Sequence, residues 1–214
     1  MIKVLIVDDH ALFRAGIHRI LEDQDLVEVV GEAESGEEGL RLAQKLAPDV
    51  VLMDVNMPGG MGGIEATRRL GRVAPASRVI ALTVIGDDPF PDQLREVGAM
   101  GYLTKGCPAE ELVRAIRAVA AGRPYVDSQL AQARMMSAWQ GVHGSPFKEL
   151  SSRELQVAMM ILDGQRTQDI SEALSLSPKT VSTYRQRIYE KLGVRTDVEL
   201  TRLAFRYGLL QEGT

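Results

Sequence analysis

The chain has 214 residues, 45% hydrophobic and 25% charged, the make-up of one or two ordinary globular domains. No apolar run approaches the roughly 18 residues of a membrane span, a core strand starting at Ile2 argues against a signal peptide, and the single Cys107 cannot form an internal disulfide, which fits a reducing cytoplasm. The net charge of −4 is uneven: residues 1–147 carry 15 Lys and Arg against 20 Asp and Glu, and residues 148–214 carry 10 against 9, so nucleic-acid binding could come only from a local patch.

Residues 2–7 form an apolar strand run, and residues 11–22 place Leu12, Ile17, Ile20 and Leu21 at helical spacing. A short strand at 27–30 precedes a helix at 36–46 that Pro48 stops. Val50 to Met53 read as a strand buried on both faces. A glycine-rich turn at 59–63 leads into a helix at 64–73. Strands follow at 78–82 and 100–103, and helices at 87–97, beginning irregularly, and at 109–121. Five strand-then-helix units predict a parallel sheet covered by helices on both faces, over residues 1–121. Residues 122–145 read as a linker with a helix at 128–139, in which Tyr125 and Trp139 serve packing. Residues 146–214 form a second, all-helical domain. There Ser151 and Glu154 make a capping box, a short helix at 167–174 meets a tight turn, and Pro178 opens a longer helix to Leu192. A last helix covers 197–207. Short helix, turn, longer helix is the helix-turn-helix layout.

The ends of the strands carry the chemistry. Ligands of open α/β sheets bind outside the carboxyl ends of the strands. The first strand ends in Asp8-Asp9, the third in Asp54, the fourth in Thr83 and the fifth in Thr104-Lys105. Three carboxylates at close quarters repel, and a hard cation such as Mg²⁺ relieves that. Aspartate can act as a nucleophile that forms an aspartyl-phosphate, and a hydroxyl and an ammonium suit the oxygens of a transferring phosphoryl group.

Val7-Asp8-Asp9-His10, the stretch from Leu52 to Gly59, Leu82-Thr83 and the stretch from Gly101 to Lys105 resemble the receiver domain of two-component response regulators. The resemblance implies strand order 2-1-3-4-5, Asp54 as phosphoacceptor, and Mg²⁺ held by Asp8, Asp9, Asp54 and the backbone carbonyl of Asn56. It further implies that Thr83 and Lys105 bind the phosphoryl oxygens, that Tyr102 is the switch aromatic, and that a sensor histidine kinase donates the phosphoryl group. Gly106 stands where many receivers have proline, so the turn after Lys105 lacks a stiffening ring.

On the third helix of the second domain, Val181, Ile188 and Leu192 share a core face, and Lys179, Thr183, Gln186 and Glu190 lie opposite, flanked by Ser182 and Arg187. Polarity alone favours a solvated surface. The wording of the segment, Leu150 to Glu154, Thr180-Val181 and Lys191 to Val194, resembles the LuxR-type helix-turn-helix. Together the two halves resemble the NarL/FixJ class, within it the GacA/UvrY group. That resemblance implies a DNA-binding transcription regulator rather than an enzyme, acting at promoters of small regulatory RNAs. Lys179, Thr180, Ser182, Thr183, Tyr184, Arg185, Gln186 and Arg187 are the candidate contacts to duplex DNA, with Arg185 snorkelling toward phosphate. A homodimer on a two-fold site is expected through the last helix, where Leu200, Leu203 and Leu210 exceed the needs of a small core. In the resting state the first domain is expected to cover residues 179–187. Two rivals compete: a phosphohydrolase using an aspartyl-phosphate, disfavoured because the Asn56 amide cannot act as a general acid, and a receiver whose helical domain contacts only protein.

Overall fold

The computed structural model describes residues 1–57, 60–83, 90–128, 131–132, 145–207 and 209–210, the side chains of 90–92 excepted. Its centre is a parallel sheet of β1 (Ile2–Val7), β2 (Val27–Ala33), β3 (Val50–Asp54), β4 (Arg78–Thr83), β5 (Ala99–Thr104) and β6 (Tyr125–Val126), in the order β2-β1-β3-β4-β5-β6. The first five follow the order that the resemblance implies. The sixth was not foreseen: after Gly122, at φ 78°, the chain pairs parallel to β5 for two residues, too few to show a periodicity.

Helices α1 (Ala11–Glu22), α2 (Gly36–Leu46), α3 (Gly63–Val73), α4 (Phe90–Glu96) and α5 (Ala109–Ala120) connect these strands. Alternation along each strand divides the core. Val4, Ile6, Val50 and Leu52 pack with Ile17 and Leu21 of α1 and with Leu112 and Ile116 of α5. Leu5, Val7, Val51 and Met53 pack with Ala43 of α2 and with Ala66 and Leu70 of α3. This two-sided burial explains why β1 from Val4 onward and β3 from Val50 onward are apolar without interruption until their carboxyl ends. Each fully buried Leu or Ile contributes about 1.5–3 kcal/mol. One glycine sets the site directly: a Cβ on Gly63 would lie 1.9 Å from the Asp54 carbonyl oxygen, so α3 can start against the end of β3 only with glycine there.

The C-terminal domain begins with a 3-10 turn, Pro146–Glu149, followed by α6 (Ser152–Leu162), α7 (Thr167–Ala173), α8 (Pro178–Leu192) and α9 (Asp197–Arg206). The capping box at Ser151 and Glu154 forms as expected, a feature of about 1 kcal/mol. Ser177 accepts from the Thr180 amide at the start of α8, and Gly193, at φ 66°, ends it in the left-handed conformation. Val181, Ile188 and Leu192 are buried, as their spacing predicts. Leu200 is also fully buried, and Leu203 and Leu210 pack against the same core. The leucines read as surplus therefore belong to the domain's own core, and the exposed apolar residues of α9 are Val198 and Phe205.

The two domains meet along one seam. Val55, Ile64, Leu94 and Tyr102 of the first share a hydrophobic cluster with Phe147, Leu150 and Leu155 of the second. Around it the Gly60 carbonyl accepts from Arg153 Nη1 (3.0 Å) and Gln156 Nε2 (3.2 Å), and the Gly60 amide donates to the Ala173 carbonyl (2.9 Å). Gln93 Nε2 donates to the Leu150 carbonyl (3.0 Å), and Arg68 Nη2 to the Ser152 hydroxyl (2.9 Å). The expectation that the first domain covers residues 179–187 is not met: Lys179, Ser182, Thr183, Gln186 and Arg187 are all exposed. The physical reason lies in what each face offers. α6 brings apolar side chains and the Arg153 and Gln156 donors, and the end of α7 the Ala173 carbonyl, to match the backbone groups of Met57 and Gly60, whereas the polar face of α8 has nothing to bury. Most of the linker helix expected at 128–139, Trp139 included, lies outside the described residues, as do Pro58, Gly59 and 84–89. Tyr125 packs against the α1/α5 core.

Candidate functional site

β1 and β3 lie side by side in register, so Asp8 and Asp54 emerge at the same edge of the sheet. Both are fully buried. Lys105, following β5, reaches across with Nζ 2.8 Å from Asp8 Oδ2 and 2.9 Å from Asp54 Oδ2. Its ammonium also sits 4.9 Å above the centre of the Phe13 ring. The Asn56 amide donates to Asp54 Oδ1 at 3.0 Å, fixing the carboxylate from the loop side, while the Asn56 side chain is exposed. The His10 amide donates to Asp8 Oδ1 (2.8 Å), and the His10 ring lies 2.9 Å from Asp9 Oδ1.

Burial, opposed by Lys105 and reinforced by the Asp8 charge, raises the Asp54 carboxyl to about 6. Burial also works against the Lys105 ammonium, but Asp54 and Asp8 outweigh it and raise its value. One lysine thus faces more negative charge than it neutralises. Asp8 Oδ2 is buried with only the Lys105 ammonium beside it, and Asp9 Oδ1 with only the His10 ring, so the carboxylates keep lone pairs to spare. Ligand atoms of Asp8, Asp9, His10 and Asp54 lie within 4.8 Å of one another. Three carboxylates facing one lysine leave negative charge over, and their oxygens suit a small hard cation, so the residues present fit a divalent metal.

Thr83 closes β4 and Tyr102 lies in β5, both 5% exposed. The Lys105 amide donates to the Thr83 carbonyl at 2.6 Å, which ties the two strand ends together beside Asp54. Tyr102 packs into the cluster shared with Phe147 of the second domain. The strand-end residues singled out from sequence therefore share one edge of the sheet, and Tyr102 lies at the seam.

The candidate DNA contacts divide into two groups. Lys179, Ser182, Thr183, Gln186 and Arg187 form an open surface on α8. Their hydroxyl and amide bonds are local: Thr183 Oγ1 donates to the Lys179 carbonyl and Gln186 Nε2 to Glu190. Thr180, Tyr184 and Arg185 are half-buried. Tyr184 packs on the domain core, and Arg185 turns to Asp197 of α9 (3.5 Å), which also accepts from the Tyr189 hydroxyl. Arg153 and Gln156, which clamp Gly60, were missed as functional residues; their sequence context signals only a helix start.

Residues 4–117 match the family described as the response regulator receiver domain, and residues 148–204 match the bacterial regulatory proteins of the luxR family. The chain belongs to the two-component response regulators. This regulator is 55% identical to the response regulator GacA of Pseudomonas protegens over 210 residues, 98% of each chain. It is 49% identical to the response regulator UvrY of Escherichia coli over 215 residues, 100% of this chain and 98% of the other. Among solved structures it is similar to RcsB of Salmonella enterica serovar Typhimurium bound to promoter rprA in the presence of the phosphomimetic BeF3−. The two are 25% identical with a TM-score of 0.70, covering 94% of this regulator and 97% of that chain. Among the described residues no helix is long and apolar enough to cross a membrane.

Proposed function

We propose that this regulator receives a phosphoryl group on Asp54 from a sensor histidine kinase and responds by freeing its LuxR-type domain to bind a two-fold promoter site as a homodimer. The observation that carries the reading is the loop after Asp54. Asn56 donates to the acceptor carboxylate at one end of this loop, and Gly60 is held by α6 and α7 of the DNA-binding domain at the other. A change at the carboxylate therefore reaches the seam within six residues.

In the transfer an oxygen of Asp54 forms a bond to phosphorus as the phosphorus–nitrogen bond of the phosphohistidine breaks. Lys105 meets a new oxygen of the acyl phosphate, and Thr83 supplies its hydroxyl. Phosphorylation adds about −1.5 to −2 charge. As Thr83 and Lys105 shift toward it, Tyr102 follows into the space that Thr83 leaves and withdraws from the cluster that holds Phe147. The protein itself is no enzyme in this reading; it takes the phosphoryl group on its own side chain.

Asp8, Asp9, Asp54 and the Asn56 carbonyl would hold Mg²⁺, which when bound neutralises the charge that builds on the phosphoryl oxygens. Loss of a direct ligand should weaken binding by about 10-fold or more, at least as much as loss of a supporting residue. Asp8→Ala and Asp9→Ala are thus expected to weaken Mg²⁺ in calorimetric titration and to slow labelling by a small phosphodonor. Unchanged affinity in both would remove them as ligands.

The exposed face of α8 supports major-groove reading, Val198 and Phe205 of α9 support the C-terminal dimer contact, and half-sites about 34 Å apart follow from the two-fold arrangement. Resemblance to GacA and UvrY supports small-RNA promoters as targets and the cytoplasm as the place of action. The test is fluorescence anisotropy on specific and random duplexes across a salt series. Lys179→Ala and Arg187→Ala should weaken both duplexes and flatten the salt slope, as lost phosphate contacts do. Thr183→Ala and Gln186→Ala should cost about 1–3 kcal/mol on the specific site alone. Equal losses on both duplexes for all four variants would sink the division into reading and positioning residues.

A further inference from the structure

Lys105 is the cation of the phosphoacceptor site, yet the backbone that carries it is weakly constrained by its own sequence. Gly106 follows it, and the turn continues through Cys107 to Pro108. On one side the Lys105 amide is tied to the Thr83 carbonyl. The tie on the other side comes from beyond α5, in the segment that leads toward the DNA-binding domain. Asp127, 1% exposed, turns Oδ2 to the end of β5, where it accepts from the Thr104 hydroxyl at 2.7 Å and from the Thr104 amide at 3.2 Å. Its own amide donates to the Tyr102 carbonyl at 2.9 Å. One residue thus grips β5 at Tyr102 and at Thr104, the residues of the switch aromatic and of the strand end next to the lysine.

We propose that Asp127 is a positioning residue for phosphoryl transfer, holding Thr104 so that Lys105 Nζ stays between Asp8 and Asp54. This rests on the assignment of Asp54 as phosphoacceptor. Bonds from a carboxylate to an amide and a hydroxyl are charge-assisted, and burial at Thr104, 2% exposed, leaves them unscreened. Without Asp127 the Thr104 amide and hydroxyl lose this acceptor in a place water hardly reaches. The long lysine side chain then has no fixed base from which to span the two carboxylates, and a shift of about 1 Å at a reacting group can cost about 100-fold in rate. The bland alternative is that Asp127 only anchors the linker, since its carbonyl accepts from the Ala131 amide.

The test is the rate of Asp54 labelling by acetyl phosphate at saturating Mg²⁺, in the full chain, with thermal denaturation to establish that each variant is folded. Asp127→Ala should slow labelling about 10-fold without weakening Mg²⁺, whereas Asp127→Asn, whose amide oxygen still accepts both bonds, should restore most of the rate. Thr104→Val, which removes only the hydroxyl bond, should slow labelling in the same sense and carries the test should Asp127→Ala fail to fold. In a Lys105→Ala background neither Asp127→Ala nor Thr104→Val should slow the reaction further, because residues acting through one side chain are not additive. Labelling of Asp127→Ala and Thr104→Val at the unmutated rate, or an undiminished loss in the Lys105→Ala background, would overturn the proposal. Failure of the unmutated protein to label at Asp54 would instead overturn the phosphoacceptor assignment on which it rests.

Discussion

Asp54→Asn is expected to abolish labelling by a small phosphodonor in the presence of Mg²⁺. The unmutated protein should carry one phosphoryl group that is labile to hydroxylamine, as an acyl phosphate is. The same substitution should stabilise the metal-free protein. Asp54 is buried beside Asp8, and its carboxyl titrates near 6 rather than 3.8. The folded state therefore binds this proton more tightly than the unfolded state, and its stability falls as pH rises between those two values. A shift of this size corresponds to about 1–3 kcal/mol. Asp54→Asn should recover that amount at pH 7 in thermal denaturation without metal, and almost none at pH 4. Labelling that survives the substitution would place the acceptor elsewhere.

Loosening the seam should imitate phosphorylation. Gln156 bonds to the Met57 and Gly60 carbonyls, and Arg153 joins the Gly60 carbonyl to its own domain's Leu174 carbonyl. Each bond contributes about 1 kcal/mol, so Gln156→Ala is expected to raise specific DNA affinity of the unphosphorylated protein several-fold, and Arg153→Ala with Gln156→Ala about 10-fold or more. Phosphodonor should then add less than it does to the unmutated protein. The exposed face of α8 is untouched by either change, so a gain in affinity reports release of the domain and not new DNA contacts. Affinity that stays unchanged in the double variant would show that the seam does not restrain binding.

The clustering of the strand-end residues was legible because every member sits at or beside the end of an apolar strand, and parallel pairing brings such ends to one edge whatever the loops between them do. Asp8, Asp54, Thr83 and Lys105 needed only the strand pattern and the resemblance. The core face of α8 was legible for a similar reason, since Val181, Ile188 and Leu192 repeat at helical spacing. The seam was not. Its main partners are the backbone groups of Met57, Gly60, Ala173 and Leu174, and a carbonyl has no letter in a sequence. The reading that residues 179–187 are covered took a polar helix face for an interface, whereas the buried faces are those with apolar side chains to hide. Leu200 was misjudged because the size of the C-terminal core depends on Phe147 and Leu150, which come from before the first of its helices. Asp127 fell within a stretch read as linker. Its one signal was an acidic residue directly after Tyr125-Val126, a pair suited to a strand edge.

The measurement closest to the central claim is the affinity of the full-length regulator for a two-fold promoter duplex, with and without phosphodonor, at one fixed salt concentration. The account predicts tighter binding by about 10-fold or more when Asp54 is phosphorylated, no response in Asp54→Asn, and a reduced response when Arg153 and Gln156 are both replaced by alanine. Equal affinity in the phosphorylated and unphosphorylated states of the unmutated protein would contradict it.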